Sequence, residues 1–153
     1  GHFNEEFEHK MAQFLGVKHL ITVNSGSSAN LVAFSALTSP KLGDRAIQPG
    51  DEVLVSSLSF IAPANAIRYI GAWPVFIDAH PDYWQMDPEK AVSFLDNECA
   101  WREGELRNRA TGHRVKAILP VHVLGHPVPW HGLPLWRASA LTWPPPPTTW
   151  QLS

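Results

Sequence analysis

Four short apolar runs constrain this chain most: HLITV (19–23), EVLVS (52–56), WPVFID (73–78) and VKAILPV (115–121). Each has strand length and is rich in β-branched or aromatic residues. None shows the strict alternation of a sheet with one wet face, so they read as strands of a parallel sheet covered on both sides. Helical stretches separate them. Phe3, Phe7, Met11, Phe14 and Leu15 recur at helical spacing behind the acids Glu5, Glu6 and Glu8, and Gly16 follows as a stop. Ala29 to Leu37 carries no charge and is expected to be a helix buried on most sides. Pro63 suits the first turn of a helix over about 61–69, and Pro88, with Asp87 as N-cap, opens another to about Leu95. SPKLGDRAIQPG is a polar connection, and 97–113 is a polar excursion without an assigned element. Strands alternating with helices give an α/β fold with a mainly parallel sheet.

Composition excludes several classes. Charged residues make up 17% of the chain, below the roughly 25% of a typical soluble domain, and the net charge is −2. Neither value points to nucleic acid or to an anionic membrane. A single cysteine, Cys99, rules out an intramolecular disulfide framework and a cysteine zinc site. No uncharged apolar run reaches bilayer length. The acidic, amphipathic opening GHFNEEFEHK is not a signal peptide, and without Met it implies a start further upstream.

The averages hide a break near residue 128. Residues 129–153 hold six of the 14 Pro and four of the seven Trp, but a single charged residue, Arg137. Pro144 to Pro147 fits neither a helix nor an inner strand and would be extended. We read 129–153 as a Pro/Trp-rich, irregular tail that does not continue the domain, as after a frameshift or mis-splicing. The other reading is a contact segment for an aromatic groove.

Chemistry belongs at the strand ends. Val23-Asn24-Ser25-Gly26-Ser27-Ser28-Ala29-Asn30 leads into a helix, whose first turn offers unpaired N–H groups and partial positive charge to an anion, with hydroxyls as further donors. It matches neither a Walker loop nor a G-x-G-x-x-G loop, and by spacing alone simple capping by Ser27 or Ser28 is the plainer reading. Ser56 to Asn65 again joins strand to helix, and Phe60 stands where a ring would cover a planar cofactor or enter the core. In Pro120 to Pro127, His122 and His126 are four apart, but Gly125 and Pro127 break a helix, so a polar site wall at His122 is preferred to metal binding. Asp78, ending its run, is read as a cap of the following turn.

FEHKMAQFLGVKHLITVNSGSSANLVAFSAL, PGDEVLVSSLSFIAPANAI, GAWPVFIDAHPDYWQMDPEK and VKAILPVHVLGHPV match in order and spacing a known pattern. Residues 1–128 resemble the N-terminal part of the DegT/DnrJ/EryC1/StrS sugar-aminotransferase family. The resemblance implies a truncated fold type I large domain, a three-layer sandwich. It also implies pyridoxal 5′-phosphate as cofactor, a nucleotide-linked keto sugar as substrate, glutamate as donor, a homodimer, and a cytoplasmic setting in amino-sugar and surface-polysaccharide synthesis. By the same resemblance Ser27 and Ser28 hold the cofactor phosphate, Phe60 stacks on the pyridine ring, and Asn65 and His122 lie near the site. The Schiff-base lysine and the acid that holds the pyridine nitrogen lie further along the family's sequence. Lys10, Lys18, Lys41, Lys90 and Lys116 match no such context, nor does Asp78 match that acid. The expectation is a fragment that does not transaminate by itself. TSPKLGDRAIQPGDEV resembles instead the nucleotide-linked 4-keto-6-deoxyhexose 3-dehydrases, which keeps a dehydrase fragment as an alternative. A non-enzymatic interaction protein using the tail is a third.

Overall fold

The computed structural model describes residues 1–126 and Val128. Its elements are α1 (His2–Leu15), α2 (Gly26–Leu37), β1 (Glu52–Ser56), α3 (Ile61–Tyr69), β2 (Trp73–Ile77), α4 (Pro88–Ser93), β3 (Cys99–Arg102), β4 (Glu105–Asn108) and β5 (Val115–Leu119). β1 lies between β2 and β5 and pairs in parallel with both. Being central, it is buried along its whole length.

Successive β1 side chains point to opposite faces, which divides the core in two. Val53 and Val55 face α2 and α3 and pack with Phe34, Ile47, Ala66, Ile67 and Ala72. Leu54 faces the other way, onto Ile77, Met86, Ala91, Cys99 and Val115. Helices on one side, the sheet, and α4 with its following hairpin on the other make a three-layer α/β sandwich, as expected. Each fully buried aliphatic side chain adds on the order of 1.5–3 kcal/mol.

Local signals set several boundaries. Gly16 ends α1 in the left-handed region at φ 66°, where glycine is unstrained. Asp87 caps α4 by accepting from the N–H groups of Glu89 and Lys90. Gly71 enters β2 at φ 80°, and its carbonyl accepts from Gly50 N–H at 2.9 Å.

Four expectations need correction. HLITV (19–23) is not a strand: it is irregular, with Ile21 72% exposed. An apolar run becomes a strand only beside a partner, and this one pairs with none of the described strands. Glu8 holds this segment instead, its carboxylate accepting from Thr22 N–H and Thr22 Oγ–H, each at 2.7 Å. These bonds hold the Glu8 carboxyl below its ordinary pKa. α2 is also not buried on most sides. Phe34 is its buried residue, while Leu31 and Val32 stay exposed. The polar excursion contains a regular element, the antiparallel hairpin β3–β4. Finally, Asp78 caps no turn with its side chain, which pairs with Lys90 at 3.3 Å; its backbone carbonyl accepts from Asp87 N–H.

Polar contacts at the amino edge of the sheet fasten the hairpin to β1. Arg114 binds Asp51 through two hydrogen bonds of 2.7 and 2.9 Å and reaches Glu105 at 2.8 Å. Buried Glu52 accepts from Asn108 Nδ2 at 2.9 Å and Thr111 Oγ1 at 2.7 Å. Every buried polar side-chain atom among the described residues has a partner.

Candidate active site

Parallel strands direct their carboxyl ends to one edge of the sheet, and the loops leaving that edge collect ligands. β1 ends at Ser56, whose side chain is buried and whose Oγ accepts from Val121 N–H, just beyond β5, at 3.3 Å. The next loop is tied to β2 by the Ser57 N–H bond to the Ile77 carbonyl at 2.9 Å. Ser59 Oγ donates to the Phe60 carbonyl, and Phe60 is the N-cap position of α3. Here an open cleft of about 180 Å³ is lined by Val55, Ser56, Ser57, Ser59, Phe60, Ile61, Ala64 and Phe76. The Phe60 ring is 91% exposed. It does not enter the core, and so large an exposed ring at a strand end is suited to covering a flat ligand.

The N-terminus of α2 is the second part. Ser25 is its cap: Ser25 Oγ accepts from Ser28 N–H at 3.2 Å. Ser28 Oγ donates to Asn24 Oδ1 at 2.7 Å, and Ser25 Oγ–H turns to Ser28 Oγ at 3.1 Å. Capping therefore falls to Ser25, not to Ser27 or Ser28. The N–H groups of Gly26 and Ser27 have no acceptor within the helix, as first-turn geometry dictates, and Ser27 is exposed. The C-terminal halves of α2 and α3 meet in one cluster through Phe34, Leu37, Ile67 and Ile70.

Of the remaining expected residues, Asn65 lies half-buried in α3 and His122 is exposed in the loop after β5. Phe60 lines the cleft itself; Ser27, Ser28, Asn65 and His122 fall outside its lining. Sequence reasoning missed Ser56, which joins the β1 and β5 loops, and Gln85, which is 1% exposed and bonds to Val123. The signal for Ser56 was its place as the last residue of an otherwise apolar strand. Gln85 had none, because nothing local foretells a contact 38 residues away.

Residues 1–134 match the DegT/DnrJ/EryC1/StrS aminotransferase family, a span six residues beyond the compositional break. The chain is 40% identical over 126 residues to the lipopolysaccharide biosynthesis protein RfbH of Salmonella typhimurium, covering 82% of this chain and 25% of that protein. It is 37% identical over 125 residues to the GDP-perosamine synthase of Caulobacter vibrioides, covering 82% of this chain and 27% of the synthase. The E. coli GDP-4-keto-6-deoxy-D-mannose-3-dehydratase structure with bound hydrated PLP superposes with a TM-score of 0.67 at 27% identity, over 86% of this chain and 29% of the dehydratase. The chain thus spans about a quarter of the length of these curated relatives. On this similarity and this fold, the chain belongs to the DegT/DnrJ/EryC1/StrS aminotransferase family.

Proposed function

We propose that the chain is the N-terminal part of a pyridoxal-phosphate-dependent aminotransferase acting on nucleotide-linked keto sugars. In this reading it serves amino-sugar and surface-polysaccharide synthesis, with glutamate as amino donor, as a homodimer in the cytoplasm. The observation that carries the reading is Phe60, an almost fully exposed ring beside an open cleft at the carboxyl edge of the sheet.

The residues present fit the cofactor. Its phosphate suits the first turn of α2, where the N–H groups of Gly26 and Ser27 lack a partner within the helix and Ser27 is exposed, and where Ser28 would turn its hydroxyl from Asn24 to the phosphate. Phe60 would cover one ring face and keep water from it, and Asn65 and His122 would form the polar wall. When bound, pyridoxal phosphate supplies the electron sink for amino-group transfer. No lysine among the described residues lines the cleft. Lys10 pairs with Glu6 and Lys90 with Asp78. Lys116 is the second residue of β5, near the opposite edge, and donates to the Asp44 carbonyl. We therefore place the covalent lysine and the pyridine acid outside residues 1–128, and infer that this chain alone does not transfer amino groups.

Titration with pyridoxal phosphate and with pyridoxal, followed by borohydride and mass spectrometry, tests this. The phosphate form is expected to bind at least tenfold more tightly. Joint replacement S27A and S28A removes that preference, Phe60→Ala weakens both ligands, and no single lysine is stoichiometrically labelled. Equal affinity for the two ligands, or one fully labelled lysine with amino transfer, overturns the reading. The alternative, a 4-keto-6-deoxyhexose 3-dehydrase, is favoured by the likeness to the E. coli dehydratase and by the 39–50 connection. Histidine in place of the covalent lysine in the full protein decides between them.

A further inference from the structure

The loop after β5 is held by a device that the proposed function leaves unused. His122 is the central residue of an inverse γ-turn, with φ −78° and ψ 81°. The turn closes through Val123 N–H donating to the Val121 carbonyl at 3.0 Å. Gln85, in the distant loop after β2, grips the same residue from outside. Its Oε1 accepts from Val123 N–H at 3.0 Å, and its Nε2 donates to the Val123 carbonyl at 3.0 Å. Ser56 Oγ takes Val121 N–H on the other side of His122. The residues flanking the histidine are thus each tied to a different strand-end loop.

The imidazole is also constrained. His122 Nδ1 accepts from Val128 N–H at 3.1 Å. A backbone N–H only donates, so Nδ1 is unprotonated and the neutral ring carries its proton on Nε2. Gln85 is 1% exposed. An amide buried so completely is retained only where its hydrogen bonds are made, and an apolar side chain of that size would fill the space without them.

We propose that Gln85 is a positioning residue for His122: its two-bond clamp on Val123, with Ser56 on Val121, fixes the γ-turn and so holds the imidazole where the Val128 N–H bond to Nδ1 sets the Nε2–H form at the carboxyl edge. The clamp thus supplies the cofactor site with a hydrogen-bond donor of defined tautomer. This part rests on the reading that His122 belongs to that site. The geometry of the clamp does not.

The test uses the full 153-residue chain, labelled with nitrogen-15. Long-range proton–nitrogen spectra report the His122 tautomer and its titration, and hydrogen exchange reports the Val123 amide. Gln85→Glu keeps the volume and the acceptor but loses the donor and sets a carboxylate against the Val123 carbonyl. It is expected to speed Val123 exchange at least tenfold, to mix the His122 tautomers and to shift the ring's titration midpoint. Ser56→Ala, which leaves Gln85 intact, shifts the same signals in the same direction but less. Gln85→Asn, too short to close both bonds, behaves as Gln85→Glu does; Gln85→Leu is used only if it folds. Unchanged His122 tautomer and titration in Gln85→Glu, with the chain folded, overturns the proposal even if thermal stability falls, because lost stability alone is what a merely structural clamp would give. Failure of the underlying reading shows separately, as His122→Ala binding pyridoxal phosphate with unaltered affinity.

Discussion

Asp51, Arg114 and Glu105 show how single residues decide whether the hairpin holds to the sheet. The Asp51 side chain is 5% exposed and Arg114 18%, so removing the guanidinium strands a carboxylate out of water. Arg114→Ala is expected to cost on the order of 3 kcal/mol, measured by urea unfolding, with Arg114→Lys recovering part of the loss. The hydrogen bonds from Arg114, and then from Arg107, hold the Glu105 carboxyl below its ordinary range against the opposing effect of desolvation. A depressed folded pKa gives stability that is present above the unfolded value, near pH 4.3, and lost as pH falls through the folded one. Glu105→Gln should therefore flatten the acid limb of a stability–pH curve below about pH 4.5. Cys99 behaves oppositely: burial, with help from the Glu52 and Glu98 charges, raises its thiol to about 11. The folded chain at pH 8 should resist iodoacetamide and the urea-unfolded chain should not. The Cys99 contribution to stability is complete below the unfolded pKa, near 8.5, and disappears as pH rises toward 11. Rapid alkylation of the folded protein would contradict this.

Among the elements, those with local signals formed where the sequence placed them. α3 occupies 61–69, and α4 starts at Pro88 behind its Asp87 cap. The turn into β2 depends on Gly71, where an added Cβ would lie 3.1 Å from Pro49 Cβ at a φ of 80°. Gly71→Ala is expected to cost about 1–3 kcal/mol, read as a lower urea midpoint. HLITV failed as a strand because a ladder needs a neighbour, which no local propensity supplies. The β3–β4 hairpin was hidden for the opposite reason. Its strands are four residues each and partly exposed, with Gly104 in the turn, so the residues that fasten it, Arg109 to the Cys99 carbonyl and Asn108 to Glu52, carry more of its definition than any apolar pattern.

Over the whole molecule, much apolar surface faces water. Phe3, Phe7 and Phe14 of α1 are 82%, 52% and 80% exposed, and Ile21, Ile61, Phe76 and Trp101 all exceed half. Exposed apolar area on this scale marks surface that is covered in an assembly or that drives aggregation. The isolated 153-residue chain should bind a hydrophobic dye strongly and unfold broadly. A monomer with a sharp, cooperative thermal transition and no dye binding would count against this expectation. No helix among the described residues is long and apolar enough to cross a membrane. The compositional break and the Pro/Trp-rich tail lie outside the described residues apart from Val128, and so does any contact the tail makes.

By itself the sequence determined the α/β class, the parallel sheet, most helix boundaries and the family. These follow from side-chain size, capping chemistry and apolar patterning, which act over a few residues. It also marked Ser27, Ser28, Phe60 and His122 as candidates from their places at strand ends, and Asn65 through the family resemblance. Only the tertiary structure decided which apolar runs find partners, that Phe60 stays out of the core beside a cleft, and that Gln85 and Ser56 grip the turn around His122. Those outcomes depend on contacts between segments tens of residues apart. Their free energy exists only once the sheet has brought the strand ends together.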